Sequence, residues 1–268
     1  MIRSPLLPFT AALAMPPNTD YQQLLADADA RFNELPLLAE GESKILRAVT
    51  PKLAIVRLKP TLYSITANRS GVVEGTDSLR LRISERLWRL LEDAGISTSI
   101  LAVGPNSYLT EYVQATPIEV IVKACHVGTP KHIYHGITDH PTRFGGHICF
   151  SAPHDPYVRF DWRNALPHRD ECMPLWLANQ FIDVEKAQST ALEAFQALVA
   201  FLQPRGLHLL DICFMLTSDG KTLFSEVSPD CMRVKKLDTD MDKDLWRKGK
   251  DPEIILTLWG EFLSMVTT

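Results

Sequence analysis

The chain has 268 residues, of which 46% are hydrophobic and 22% charged, and a net charge of −4. That length can bury a full core in one large domain or two lobes. The composition offers no basic field for nucleic acid, and no apolar run reaches membrane-spanning length. Five cysteines (Cys125, Cys149, Cys172, Cys213 and Cys231) are odd in number, and no pair has metal-ligand spacing. This is the pattern of reduced thiols in a cytoplasm.

In chain order, residues 1–36 read as an N-terminal extension. "MIRSPLLPFTAALAMPPN" has the Arg and short apolar stretch of a leader peptide, but Pro5 and Pro8 interrupt the run. "TDYQQLLADADARF" predicts one short helix. Residues 37–110 form a smaller, β-rich lobe. There "SKILRAV" and "LAIVRLK" flank the turn "TPK" as a hairpin. "DSLRLRISERLWRLLEDAG" predicts a helix capped by Asp77, striped by Leu79, Ile83, Leu87, Leu90 and Leu91, and stopped by Gly95.

Residues 111–268 form a larger lobe. "PIEVIVKAC" is an apolar strand, and residues 136–175 read as a long loop region rich in His, Pro, Gly and Asp. A second helix follows, with Val184, Ala187, Ala191, Phe195, Leu198 and Leu202 on one face and Pro204 and Gly206 at its end. "LHLLDICFML" and "TLFSEV" then read as two strands joined by "TSDGK". Alternation puts Leu210, Ile212, Phe214 and Leu216 on one face of the first strand. Asp211, Cys213 and Met215 lie on the other, with Met215 roughly opposite Ser225. The order of elements predicts an α+β fold of two lobes with a central cleft.

Asp211, Asp230, Arg233 and Arg247 fall close together in this layout. Lys123, His126 and Thr129 lie in a strand that runs into a Gly-containing turn. Hydroxyls beside Gly, with Lys and Arg nearby, are what a phosphate site requires. The plainer reading is a Ser-Pro-Asp turn followed by a solvated Arg.

"PIEVIVKACHVGT", "SEVSPDCMR", "MDKDLWRKG" and "APHDPY", with "GESKIL", "SITANRSG" and "LEDAGISTS" more loosely, resemble in order the motifs of the SAICAR synthetase family. The resemblance implies a two-lobed α+β fold related to ATP-grasp enzymes. It also implies an ATP-driven ligation of aspartate to an aminoimidazole ribonucleotide. The ribonucleotide side is retained: Lys123, Thr129, Ser228, Asp230, Arg233 and Arg247 are implied as substrate-binding, and Asp155 and Asp211 match family positions.

The Mg-ATP side departs from the family. Met215 stands where a Glu ligates Mg²⁺ and Ser225 where an Asp does, and Cys213 replaces the Lys of the family's strand. In "GESK" one phosphate-facing Lys has become Glu42, leaving Lys44 to serve ATP if ATP is used. A thioether is a poor ligand for a hard cation. The expectation is therefore an enzyme with no cofactor and no metal, acting on a phosphorylated imidazole ribonucleotide. Such homologues resemble those that build the 1,3-diazepine ring of pentostatin- and coformycin-type nucleosides. Asp211 is expected to transfer protons, facing Cys213 and Met215 with no cation beside it. Cys213, Asp155 and His126 are further catalytic candidates. The alternatives are an Mg-ATP-dependent ligase, with Glu226 and Asp230 as relocated metal ligands, or a non-catalytic ribonucleotide-binding protein. No nucleic-acid or membrane partner is expected, the location is cytoplasmic, and a homo-oligomer is left open.

Overall fold

A computed structural model of the chain describes residues 20–64, 67–114, 116–128, 136–150, 152–165 and 168–268. Asp20 caps helix α1 (Tyr21–Ala30) by accepting the backbone N–H groups of Gln22 and Gln23. Strands β1 (Leu37–Glu40), β2 (Lys44–Thr50) and β3 (Leu53–Leu58) follow. The β2–β3 hairpin has the predicted turn. With β6 (Ile100–Val103) and β7 (Tyr108–Glu111) they make an antiparallel sheet in the order β1-β2-β3-β7-β6; before β6 come a separate hairpin, β4 (Thr61–Ser64) with β5 (Arg69–Val72), and helix α2 (Thr76–Asp93).

Residues 20–36 are more than an extension. Leu25, Ala28 and Phe32 bury themselves against Leu53, Ile55, Ala102 and Leu109, and Asp29 pairs with Arg57 at 2.9 Å. The first lobe therefore takes its outer layer from this segment, because one face of its sheet is apolar and needs cover.

Helix α2 begins two residues earlier than a cap at Asp77 would place it. Gly75 precedes it at φ +94°, so Asp77 lies in the first turn rather than at the cap. Its buried residues are Leu81, Ile83, Leu87, Trp88 and Leu91, together with three polar ones, Thr76, Arg80 and Ser84.

The second sheet runs β10-β9-β8-β11-β12-β13 and is antiparallel throughout. Its strands are β8 (Ile118–Lys123), β9 (Tyr157–Trp162), β10 (Glu171–Cys172), β11 (Leu207–Phe214), β12 (Met232–Lys236) and β13 (Thr239–Asp240). Between β10 and β11 lie the short α3 (Leu175–Ala178) and α4 (Val184–Leu202). All six apolar residues predicted for the inner face of α4 are buried. Helix α4 covers one face of the sheet, where Ile118, Val120, Val122, Phe160, Ile212 and Phe214 join the core. The chain ends with α5 (Asp244–Arg247) and α6 (Pro252–Thr267).

Two strand assignments differ from the sequence reading. The region 136–175 holds β9 and β10 rather than loop alone. "TLFSEV" is not a ladder strand. Leu223 makes only isolated bridges to Leu216 and Thr98. The backbone of this segment is bonded elsewhere: Ser99 N–H donates to the Leu223 carbonyl, Trp88 Nε1–H to the Ser225 carbonyl, and Val227 N–H to Ser84 Oγ. The neighbour of β11 on that side is "MRVKK", which puts Arg233 within a strand directly opposite Asp211. Phe224, not Ser225, donates its N–H to the Met215 carbonyl.

Candidate active site

A cleft of ≈ 980 Å³ lies over the sheet face that α4 leaves uncovered. Strand alternation sets its floor. Strand β8 contributes Glu119, Ile121 and Lys123; β9 contributes Arg159 and Asp161; β11 contributes Asp211 and Cys213, with Met215 just beyond. Arg233 of β12 and Asp244 and Arg247 of α5 close one end, and Glu42 and Lys44 of the first lobe face across.

A bulge brings Asp211 into this cleft. The β11–β12 register shifts between Leu209 and Asp211. Before it Leu207 and Leu209 enter the core; after it Ile212 and Phe214 do. Leu210 therefore lies outside the face predicted for it, while Asp211, Cys213 and Met215 share the cleft as predicted.

Asp211 is not free of cations. Its Oδ2 accepts Lys123 Nζ and Arg233 Nη1, each at 2.7 Å, and the residue is 3% exposed. This corrects the expectation of a carboxylate facing only a thiol and a thioether. The pairings span 88 and 22 residues of sequence, and strand register alone creates them. Asp211 is thus placed to orient two cations. Lys123 also donates to the Val127 carbonyl at 2.9 Å, and burial, opposed by Asp211, lowers its pKa.

The turn after β8 packs onto the same group. Gly128, at φ +105°, lies so close to Arg233 that a Cβ there would meet the guanidinium at 3.1 Å. Glycine serves both the positive φ and the close approach. Arg233 Nε also contacts Asp244 at 3.4 Å, and Arg247 pairs with Asp244. Among the described residues, the Arg233 Nη2 donors have no partner, leaving them for an anion. Thr129, expected beside this turn, lies outside the described residues.

The Ser-Pro-Asp segment is a brace. Ser228 is fully buried; its Oγ donates to Glu226 Oε1 at 3.0 Å and accepts Asp230 N–H at 3.2 Å. It shapes the loop and does not line the cleft, contrary to its assignment as a substrate ligand. Glu226 receives a bidentate fork from Arg80 of α2, with Nη2 at 2.7 and 2.9 Å from its two oxygens. Asp230 lines the cleft but pairs with Lys243 at 3.0 Å. Asp242, in the "MDKD" stretch, accepts backbone N–H groups of Val234 and Asp244 and is likewise structural.

Burial works to raise the Asp230 carboxyl, but Lys243 and Arg80 outweigh it and bring the group down from 3.8 to about 2. A depressed carboxyl pKa gives stability that is present above the unfolded value and lost as pH falls through the folded one. At 1.36 kcal/mol per unit, this pair should lose about 2 kcal/mol between pH 4 and 2. Urea unfolding across that window should show a shallower fall in Asp230→Asn than in the wild type. Parallel curves would exclude the pair as the source.

The remaining candidates separate. Cys213 lines the cleft, but burial pushes its thiol well above the ordinary value, which disfavours a nucleophile. Cys231 is pushed up to about 12, by burial first and then Glu226. Asp155 is exposed and does not line the cleft. His126 does not line it either; it stacks on Phe150 at 3.8 Å, and burial lowers its pKa. The sequence reading missed His168, Arg169 and Asp170, which do line the cleft, and Glu119. Lys44 is half-buried with no ion pair among the described residues, and burial lowers its pKa.

This arrangement is that of known structures. A SAICAR synthetase (Type-2) in complex with ADP superposes with a TM-score of 0.70 at 23% identity, covering 85% of this chain and 97% of that one. The SAICAR synthase of Saccharomyces cerevisiae complexed with SAICAR gives 0.69 at 14% identity, covering 87% and 95%. The architecture is therefore the two-lobed α+β fold of SAICAR synthetases. The sequence model of the SAICAR synthetase family matches residues 37–254, and the chain belongs to that family.

Two relatives differ in character. The bifunctional cordycepin biosynthesis cluster protein 3 of Cordyceps militaris is 28% identical over 298 residues, covering 88% of this chain but 33% of its own length. This chain thus spans a third of that relative. The phosphoribosylaminoimidazole-succinocarboxamide synthase of Campylobacter concisus is 27% identical over 220 residues, covering 79% and 90%.

Proposed function

We propose that the protein is an enzyme that binds a 5′-phosphorylated aminoimidazole ribonucleotide in this cleft. It converts the nucleotide without ATP, in the assembly of a nucleoside natural product. Lys123 and Arg233, aligned by Asp211 beside the Gly128 turn, serve the phosphate, with Arg247 next to them. A flat, charge-assisted fork of this kind suits a phosphate monoester.

One observation carries the ATP-independent part. The two carboxylates on the loop that follows Ser225 are already committed, Glu226 to Arg80 and Asp230 to Lys243. Neither is free to replace missing Mg²⁺ ligands without breaking an ion pair, and Met215 presents sulfur to a cation that selects oxygen. Glu42, a carboxylate on the opposite wall, adds repulsion toward a triphosphate. The Cordyceps relative, named for a nucleoside biosynthesis cluster, agrees with the pathway class. Without phosphoryl transfer the chemistry is acid–base in kind. The ATP-dependent ligase is the second reading, favoured by one feature: the Lys44 amine, without an ion pair among the described residues, faces the cleft.

Thermal unfolding separates the two. A ligand at a hundred times its Kd stabilises the native state by about 2.7 kcal/mol, several degrees for a chain of this size. Aminoimidazole carboxamide ribonucleotide should raise Tm by about that much, and Mg-ATP should leave it unchanged. ADP released in step with product and abolished by EDTA would restore the ligase.

A further inference from the structure

Among the described residues, one of the acids that β8, β9 and β11 set on the cleft floor has no partner. Asp211 faces Lys123 and Arg233, Asp161 faces Arg159, and Asp230 faces Lys243. Glu119 makes no hydrogen bond or ion pair among the described residues. It stands on β8 four residues before Lys123 on the same face, with Ile121 between them. At about 3.3 Å per residue the two positions are ~13 Å apart. An extended mononucleotide, with its side-chain partners, can bridge that separation from phosphate to base edge.

The surroundings of Glu119 leave it short of donors. Asp161 is its register partner on β9, Asp170 approaches from the segment before β10, and Cys213 comes from β11; Arg163, just past β9, and the more remote Lys243 are the cations that face it. Burial, reinforced by Asp170, raises its pKa against the pull of Arg163. A half-buried carboxylate without a donor is costly to hold. The cost is recovered when a ligand brings an N–H group to it.

We propose that Glu119 accepts the exocyclic amine of the substrate's heterocycle while the phosphate lies at the Lys123–Arg233 end. Ile121 and Cys213 then form the apolar floor under the ring. The inference rests on the ribonucleotide reading above and narrows it. The substrate is a flat base bearing an exocyclic amine, and Glu119 selects for that N–H donor.

Calorimetry with two probes tests this: aminoimidazole carboxamide ribonucleotide, and imidazole carboxamide ribonucleotide, which lacks the amine. The wild type should prefer the amine-bearing probe by about tenfold or more, as expected when a buried acceptor is otherwise left unpaired. Glu119→Met, which keeps the volume and removes the acceptor, should bind both probes within about twofold while retaining wild-type affinity for the amine-less one. Glu119→Gln, which keeps one acceptor oxygen, should preserve part of the preference. Its Tm, and that of the Met variant, establishes that each is folded. Equal binding of both probes by the wild type overturns the role of Glu119 and leaves the ribonucleotide reading standing. So does a preference that survives in Glu119→Met. Failure of the wild type to bind either probe overturns both.

Discussion

Arg80→Ala should destabilise the fold by about 3–5 kcal/mol, the loss expected when one partner of a buried ion pair is removed and the other is stranded. The Arg80 side chain is 0% exposed and that of Glu226 is 8%. Besides its fork to Glu226, Arg80 donates Nη1 to the Lys59 carbonyl at 3.0 Å. It therefore ties three segments together: the end of the first-lobe hairpin, helix α2 and the loop carrying Asp230. Urea unfolding would measure the loss. Replacing both partners together, as Arg80→Met with Glu226→Leu, should cost much less, because no buried charge is left unpaired. If the double variant is no better than Arg80→Ala, the pair is not what strands the charge. The backbone carbonyl of Lys59, left without its donor, would then be the dominant loss.

Arg233→Ala should weaken binding of a phosphorylated imidazole ribonucleotide by about 2–4 kcal/mol, and of the dephosphorylated nucleoside by far less. Two of its nitrogens are held by Asp211 and Asp244, which fixes the plane of the guanidinium. The remaining Nη2 donors are then presented in one orientation. Arg233→Lys keeps the charge but not the fork, and should recover only part of the loss. Calorimetry with both ligands decides the matter. An equal loss for both would remove the phosphate from this end of the cleft.

The regular elements were largely legible from the sequence, and the contacts between them were not. The inner face of α4 follows from a 3.6-residue repeat, and the β2–β3 hairpin from alternation around "TPK". Strand β9 was hidden because its cleft-facing residues, Arg159 and Asp161, are charged and sit in a stretch crowded with His, Pro and Asp. Its alternation of Val158, Phe160 and Trp162 was there to be read. "TLFSEV" looked like a strand because its composition suits one, yet side chains of α2 claim part of its backbone. At the site, the face carrying Asp211, Cys213 and Met215 was visible from period two. The two cations on Asp211 were not, since they arrive from β8 and β12 by register. Asp155 was chosen on a local motif, while Arg159, Asp161, His168, Arg169 and Asp170 are among the residues that reach the cleft from that region.

The irregularity in β11 separates two kinds of sequence change. Because Leu207 and Leu209 serve the core on one side of it and Ile212 and Phe214 on the other, the strand's length is locked at both ends. Losing one residue near Leu210 would rotate either the apolar half or the cleft half to the wrong side. Exchanging side chains at 211, 213 and 215 disturbs neither half. A lineage can therefore rewrite the chemistry of these three positions by point mutation alone, while insertions and deletions in the same strand are closed to it. On the motif resemblance, the Cys213 and Met215 of this chain would be changes of the permitted kind.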